Sequence, residues 1–420
     1  MRILLLNDYG VIAGGAEYQL LALRDGLRSR GHDARIFAST ARSAALSLAS
    51  ESFADYHCYG TTSRMQLLTM AANPSAYLRL RRVLAEFAPD IVHCEMLSWQ
   101  LSPLVLPLLR GYRVVHHIQM YNPICPLGSK LLPGGAICHQ RSGRACLIER
   151  CFSPQAWSAM MLQRTLWRKW EHAVDCMIAC SEWVERRLIA DGARVDDVVY
   201  NSVPLRPAAQ FSESPSVVFA GRLVPEKGAD ILLAAFAEVR ARIPDARLSI
   251  AGDGPERPAL EQHVGKLGLR DCVTFLGSLP RDEMESRIGG AWVQAVPGRW
   301  EEPFGLVVAE GMMRGSAVVA TALGGPAEMV EQGVTGMLVE AGNSAELAQA
   351  LIALLRDRET AHRMGRAGRE RALERFTQDA MTERFLTIYQ RLVGYHETDA
   401  AGDREESSAR DSRAGRGRSS

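Results

Sequence analysis

Two cations, Arg222 and Lys227, stand at the mouth of a strand-to-helix passage, Ala220-Gly-Arg-Leu-Val-Pro-Glu-Lys-Gly228. A strand end, a helix N-terminus and paired positive charges make an anion site suited to a diphosphate, because backbone N–H groups and cations converge on the same oxygens. Two solvated loop charges are the plainer alternative. Lysine is scarce, since Lys130, Lys169, Lys227 and Lys266 are the four lysines among 49 basic residues, and that scarcity favours a specific use for Lys227. A second passage, Gly252-Asp-Gly-Pro-Glu-Arg257, begins like a dinucleotide fingerprint but has Arg257 where a third glycine belongs. Gly252 and Gly254 therefore read equally as a tight turn or as a nucleotide contact.

The third stretch runs from Arg299 to Gly315 and contains Glu302-Pro-Phe-Gly. Pro303 fits a first helical position and would leave the amides of Phe304, Gly305 and Leu306 pointing outward. Glu302 and Glu310 are eight residues apart. On a helix that is roughly 12 Å, beyond the about 5–5.5 Å between the two carboxyls of a retaining glycosidase. They suit the two ends of one extended ligand, each accepting paired hydrogen bonds from a vicinal diol, one on a hexose and one on a ribose. Two exposed helix glutamates are the alternative.

The elements that must carry these residues alternate between short β-branched runs and longer helical patterns, the mark of βαβ units and parallel sheets. Strands are expected near 2–6, 34–38, 90–94, 113–119, 176–180 and 198–203, and again near 217–222, 246–251, 272–276, 292–296, 317–321 and 335–339. Helices near 344–357, 359–374 and 377–394 follow. Residues 201–215 hold three prolines and no period, so they read as a linker between domain 1–200 and domain 216–375. Residues 376–394 form a last helix long enough to pack back on the first domain, and 395–420 are an aperiodic, disordered tail. Two doubly wound α/β domains facing a central cleft bind ligands at the carboxyl ends of their strands.

Composition narrows the classes. With 49 basic against 48 acidic residues no global field exists to hold nucleic acid, and no uncharged apolar run is long enough to span a bilayer. Met1 to Asn7 meets Asp8 at once and reads as a buried strand rather than a signal peptide, which makes the cytoplasm the default. Nine cysteines, an odd number, argue for reduced thiols.

Gly221-Arg222 with Lys227-Gly228, Gly252-Asp-Gly-Pro255, Glu302-Pro-Phe-Gly with Glu310, and Ala320-Thr-Ala-Leu-Gly-Gly325 with Glu328 and Gly333 together resemble the donor half of glycosyltransferase family 4. These are retaining GT-B enzymes that use nucleotide-activated sugars. Gly14-Gly-Ala-Glu17 resembles the family's glycine loop facing the donor phosphates, a plain turn being the alternative. Pro89-Asp-Ile-Val-His93 and Ala179-Cys-Ser-Glu182 extend the likeness over residues 1–394. The resemblance implies a hexosyl transfer from a nucleotide diphosphate sugar to an acceptor, which could be a glycan, a lipid-linked sugar or a small natural product. Arg222 and Lys227 would hold the diphosphate, Glu302 the sugar hydroxyls and Glu310 the ribose. No cofactor or catalytic metal is expected, because two fixed cations can neutralise the leaving group. A nucleotide-sugar epimerase and a non-catalytic nucleotide-sugar-binding protein are the competing readings.

The pattern departs at Gln119 and Met120, which occupy a slot where many relatives carry His-Asp before a Cys-Pro pair, here Cys125-Pro126. Glutamine can orient a hydroxyl but cannot take up a proton near neutral pH, so Gln119 is expected to position the donor. His117 lies on the same strand face. Cys125, Cys138, Cys146 and Cys151, separated by 12, 7 and 4 residues, could ligate a structural Zn²⁺. Without a C-x-x-C pair, free buried thiols are the other reading. Residues 153–170 combine Trp157, Trp167 and Trp170 with Arg164, Arg168 and Lys169, as a core helix with a basic edge or as a peripheral membrane contact.

Overall fold

β1 (Arg2–Tyr9) carries four consecutive apolar residues, Ile3 to Leu6, all fully buried. A strand apolar toward both faces suits a parallel sheet covered by helices on both sides. The computed structural model describes residues 1–42 and 51–394; the side chains of residues 281 and 282 and the expected tail 395–420 lie outside the described residues. The remaining strands of the first half are β2 (Asp33–Ser39), β3 (Tyr56–Cys58), β4 (Ile91–Cys94), β5 (Arg113–Ile118), β6 (Cys176–Ala179) and β7 (Asp197–Val198). Those of the second half are β8 (Ser216–Ala220), β9 (Arg247–Ala251), β10 (Val273–Gly277), β11 (Val293–Val296), β12 (Ala317–Thr321) and β13 (Gly336–Val339).

The described chain falls into two compact units, neither continuous in sequence. The first comprises Met1–His116, Thr165–Cys176 and the chain from Thr382. Its strands run parallel in the order β3-β2-β1-β4-β5, with Leu5 opposite Ile36 on one side and His93 on the other. The helix Gly15–Ser29 follows β1, and the helix Pro74–Phe87 leads into β4. The second of these starts where Asn73 accepts the Ala76 amide at 3.1 Å and Pro74 occupies the first turn, which removes two of the amides a helix start leaves unpaired. The last helix, residues 378–394, contributes Tyr389 to this unit. Its hydroxyl meets His93 Nδ1 at 2.7 Å, and His93 Nε2 meets Glu95 at 3.0 Å, all buried.

The second unit comprises His117–Arg164 and Met177–Met381. β6 and β7 pair in parallel there, and six further parallel strands run in the order β10-β9-β8-β11-β12-β13. Phe219, Leu232, Leu233, Phe236, Leu248, Val293, Val319 and Leu351 lie in one core of that sheet and its helices. The strand order reverses between β8 and β11, and open α/β sheets offer ligands the crevice beyond the strand ends at such a switch.

Two local expectations change. The strand foreseen over 198–203 shrinks to Asp197–Val198, because Pro204 lacks an amide donor and the Val203 amide turns to the Phe376 carbonyl at 2.8 Å. The three-residue β3 is not foreseeable, because a strand that short shows no period.

Gly252 has φ +132, and a Cβ on it would sit 1.9 Å from the Gly221 carbonyl oxygen. Only a glycine lets the turn after β9 lie against the turn after β8. Gly252→Ala is expected to destabilise the chain by about 2 kcal/mol or more, through strain and overpacking together. An unmoved denaturant midpoint would contradict the close approach.

Candidate functional site

The turn after β8 is a single 3₁₀ turn, Pro225–Lys227, ended by Gly228 in the left-handed region. It docks on the segment that leaves β11. Arg299 donates to the Pro225 carbonyl at 2.9 Å and grips both oxygens of Asp230, while its own amide reaches the Glu226 carbonyl at 2.8 Å. This clamp brings Lys227 Nζ to 2.8 Å from Glu302 Oε2 and 5.6 Å from the centre of the Trp300 ring. The side chains of Lys227 and Glu302 keep 17% and 20% exposure, so the pair is partly desolvated yet open to a ligand. Arg222 is 75% exposed and approaches Glu226 at 4.0 Å. The switch of strand order therefore holds both predicted cations and the first predicted carboxylate within one turn-and-loop pair.

Glu302 and Glu310 do not share a helix. Pro303 lies before the helix, not at its first position: the helix is Leu306–Arg314, capped by Gly305 at φ +97. The left-handed residue stops the helix from extending back through Pro303, so the outward amides expected at Phe304 and Gly305 are not those of a first helical turn. Phe304 is buried against Tyr200 and Phe376, with ring centroids 6.1 and 5.7 Å away. Glu310, in the helix, opens instead into a small pocket of about 60 Å³ shared with Pro204, Arg206, Met284, Glu285 and Arg314. At its back Arg314, 2% exposed, donates to Gln294 at 2.9 Å and meets Glu285 at 3.3 Å. Gly254, like Gly252, packs against backbone, with a Cβ position 2.4 Å from the Leu223 carbonyl oxygen, so both let the turn after β9 lie against the turn after β8.

Gln119 is 7% exposed, and its amide makes a reciprocal pair with Asn201 at 2.8 and 2.7 Å. Its Nε2 also faces His117 Nδ1 at 3.1 Å, while His117 Nε2 faces the Val199 carbonyl at 3.2 Å. Gln119 thus ties the chain leaving β5 to the segment after β7, its amide held by His117 and Asn201. In the first unit Gly14 and Gly15 are exposed where the helix Gly15–Ser29 starts, and the Gly14 amide donates to Glu17 at 2.7 Å. They stand beyond β1, beside the switch of strand order between β1 and β4. There buried Asp8 accepts four amides, those of Ser98, Trp99, Gln100 and Leu101, at 2.7–2.9 Å. Burial pushes its carboxyl up to about 6 against the pull of those amides.

Over residues 205–371 the chain matches the family model of glycosyl transferases group 1, and over residues 14–204 that of the glycosyl transferase 4-like domain. It belongs to the family 4 glycosyltransferases. The phosphatidyl-myo-inositol mannosyltransferase of Mycobacterium leprae (strain TN) is 28% identical over 407 residues, 94% of this chain and 97% of that one. The alpha-D-kanosaminyltransferase of Streptomyces kanamyceticus is 32% identical over 205 residues, 49% of this chain and 53% of the relative. The chain spans about half the length of this and other relatives it matches. Anabaena HepE in complex with UDP and glucose superposes with a TM-score of 0.64 at 21% identity, over 92% of this chain and 99% of that one. The fold is GT-B. Among the described residues no helix is long and apolar enough to cross a membrane.

In this family 4 chain the residues that brace the site carry no local signal in the sequence. Glu301 beside Glu302 is buried and pairs with Arg187 at 3.2 Å, and its carbonyl accepts the Tyr121 hydroxyl at 2.9 Å. Ser181 caps the helix Glu182–Ala190 through the Val184 amide and donates its hydroxyl to the Pro303 carbonyl. Glu328, a motif member with no role of its own in the sequence, accepts the first amides of that helix, from Glu182 at 3.1 Å and Trp183 at 2.7 Å. The helix dipole favours the charged carboxylate there, but burial opposes it and prevails, pushing the group up to about 7.

Because that value lies above the ordinary 4.5, the folded chain binds the proton more tightly between pH 4.5 and 7 than the unfolded chain does. Stability from this group is full below that window and is lost as pH rises through about 7. Glu328→Gln should flatten the fall in melting temperature between pH 5 and 7.5, removing a dependence of up to about 3 kcal/mol. An unchanged slope in the variant would exonerate Glu328.

Proposed function

We propose that the chain is a retaining glycosyltransferase that moves a hexosyl group from a nucleoside diphosphate sugar to a hydroxyl-bearing acceptor. The observation that carries this is the 2.8 Å contact between Lys227 and Glu302 at the switch of strand order. Residues 216–375 hold the donor and residues 1–200 recognise the acceptor. Lys227 and Arg222 bind the diphosphate. When its oxygens arrive, Lys227 exchanges its carboxylate partner for phosphate, and Glu302 is released to accept hydrogen bonds from the sugar hydroxyls. Glu310, in its pocket, accepts the ribose diol. Gly14 and Gly15, exposed and without side chains, let the donor phosphates approach the backbone.

As the bond between the anomeric carbon and the β-phosphate oxygen breaks, negative charge gathers on the diphosphate, and the fixed cations stabilise it more in the transition state than before. The acceptor oxygen bonds to the same face of the anomeric carbon, and its proton passes to the departing phosphate. Gln119 positions the donor, and His117 is not an essential base. The reaction takes place in the cytoplasm. The helix Pro154–Trp170, with Leu162 exposed and Arg168 and Lys169 in its last turn, would meet a lipid-linked acceptor.

A panel of nucleotide sugars in a thermal-shift assay should single out one donor, since a ligand at 100 times its Kd stabilises by about 2.7 kcal/mol. With that donor, Lys227→Ala and Arg222→Ala should each lower turnover by on the order of 3 kcal/mol, the scale of a lost oxyanion donor. Near-normal turnover in either folded variant would defeat the diphosphate assignment.

Calorimetry separates the two carboxylates. Glu310→Ala should weaken binding of the nucleoside diphosphate itself, whereas Glu302→Ala should leave that binding and weaken the intact sugar donor. The opposite order would overturn the two roles.

A further inference from the structure

Lys227 has two partners, and one of them is a ring. Its Nζ lies 2.8 Å from Glu302 Oε2 and 5.6 Å from the centre of the Trp300 indole. A cation within about 6 Å of an aromatic face is drawn to the ring's quadrupole, and tryptophan attracts it most strongly of the aromatic side chains. A lysine that must meet an anion at one place needs such a hold, because its four-carbon stem is flexible and its ammonium is a point charge. Lys169 also approaches an indole, that of Trp170 at 5.8 Å, but that lysine is exposed and the ring is simply the next residue.

The Trp300 ring is fixed independently of the lysine. Its Nε1 donates to the Ser129 carbonyl at 2.6 Å, across 171 positions of chain. The Trp300 carbonyl accepts the Glu302 amide at 2.7 Å, so ring and carboxylate share one tight turn. Ser129 is held in place by the residue that follows it. Lys130 is 1% exposed, and its ammonium donates to Asp191 at 2.7 Å and to the Gln140 carbonyl at 2.9 Å. A buried ammonium is tolerated only when paired, so the pair keeps Lys130 in place even though its backbone lies in the left-handed region at φ +55. The cysteines of the same segment do not supply this hold. Cys125, Cys138, Cys146 and Cys151 are free thiols, and no three of their sulfurs lie within 4.8 Å of one another.

Glu302 and Trp300 act on the ammonium differently. The carboxylate attracts it and cancels its charge. The ring attracts it and leaves the charge whole, since a quadrupole carries no net charge. A diphosphate that draws Lys227 away from Glu302 would otherwise release a flexible side chain into the crevice. We propose, on the reading of Lys227 as a diphosphate ligand, that Trp300 is a positioning residue whose indole face holds the Lys227 ammonium at the phosphate site while Glu302 changes partner.

Calorimetry on the full chain with UDP and GDP, continued with whichever binds more tightly, tests this as a double-mutant cycle. Trp300→Leu keeps bulk without a ring face and should weaken binding about fivefold, whereas Trp300→Phe keeps a weaker face and should lose about twofold. In a Lys227→Ala background the same Trp300→Leu change should cost nothing further, because the ring has no ammonium left to hold. Equal losses in the two backgrounds would mark a structural role and overturn the proposal, as would Trp300→Phe binding as poorly as Trp300→Leu. Should Trp300→Leu fail to fold, Trp300→Phe carries the cycle, and its loss must vanish without Lys227. Normal binding by Trp300→Leu beside weak binding by Lys227→Ala would overturn the role of the ring alone. Normal binding by Lys227→Ala, or no binding of either nucleotide by the natural chain, would overturn the diphosphate reading and the ring's role with it.

Discussion

A lysine and a glutamate held 2.8 Å apart in a partly desolvated crevice is an arrangement that much of the second unit serves. Neither charge could sit there alone at low cost, since an unpaired ion removed from water loses far more than a surface pair gains. The pair is kept in register from both sides. Arg299 clamps the lysine-bearing turn through Asp230, and Tyr121, Arg187 and Trp300 fix the glutamate-bearing segment. The pair neutralises itself in part and keeps some exposure to solvent.

The two units solve the same topological problem in different chemistry. Each sheet reverses its strand order once, between β1 and β4 in the first and between β8 and β11 in the second. In the second the reversal is lined by cations and carboxylates reaching outward. In the first, Asp8 turns inward and is used up by four backbone amides, leaving the exposed glycines beyond it to face solvent. One reversal is built for charge and the other for close approach of backbone.

Most strands are legible in the sequence because runs such as Ile3–Leu6 and Ala317–Ala320 are apolar on both faces. The site is legible in its charges, since Arg222, Lys227, Glu302 and Glu310 stand out by type and by likeness to a family. Its geometry is less so. Pro303 suggests a helix start, but Gly305 moves the start past it by adopting a conformation that proline rules do not anticipate. The pairing of Gln119 with Asn201, 82 residues away, leaves no trace in local pattern. Glu301 and Glu302 are indistinguishable as neighbours in sequence, yet one is buried against Arg187 and the other is partly exposed and paired with Lys227.

The discontinuity of the first unit bears on how the chain is made. Tyr389 and Thr382 fill places beside His93 and Gly26, so that unit lacks part of its interior until the last helix has left the ribosome. Thr382 follows His116 by roughly 270 residues, and at about 5–20 residues per second the early strands wait on the order of 15–50 s for their final layer. During that interval the β1 sheet has an apolar flank exposed to its surroundings. Nascent chains of this protein should therefore be long-lived clients for chaperones that bind hydrophobic surface.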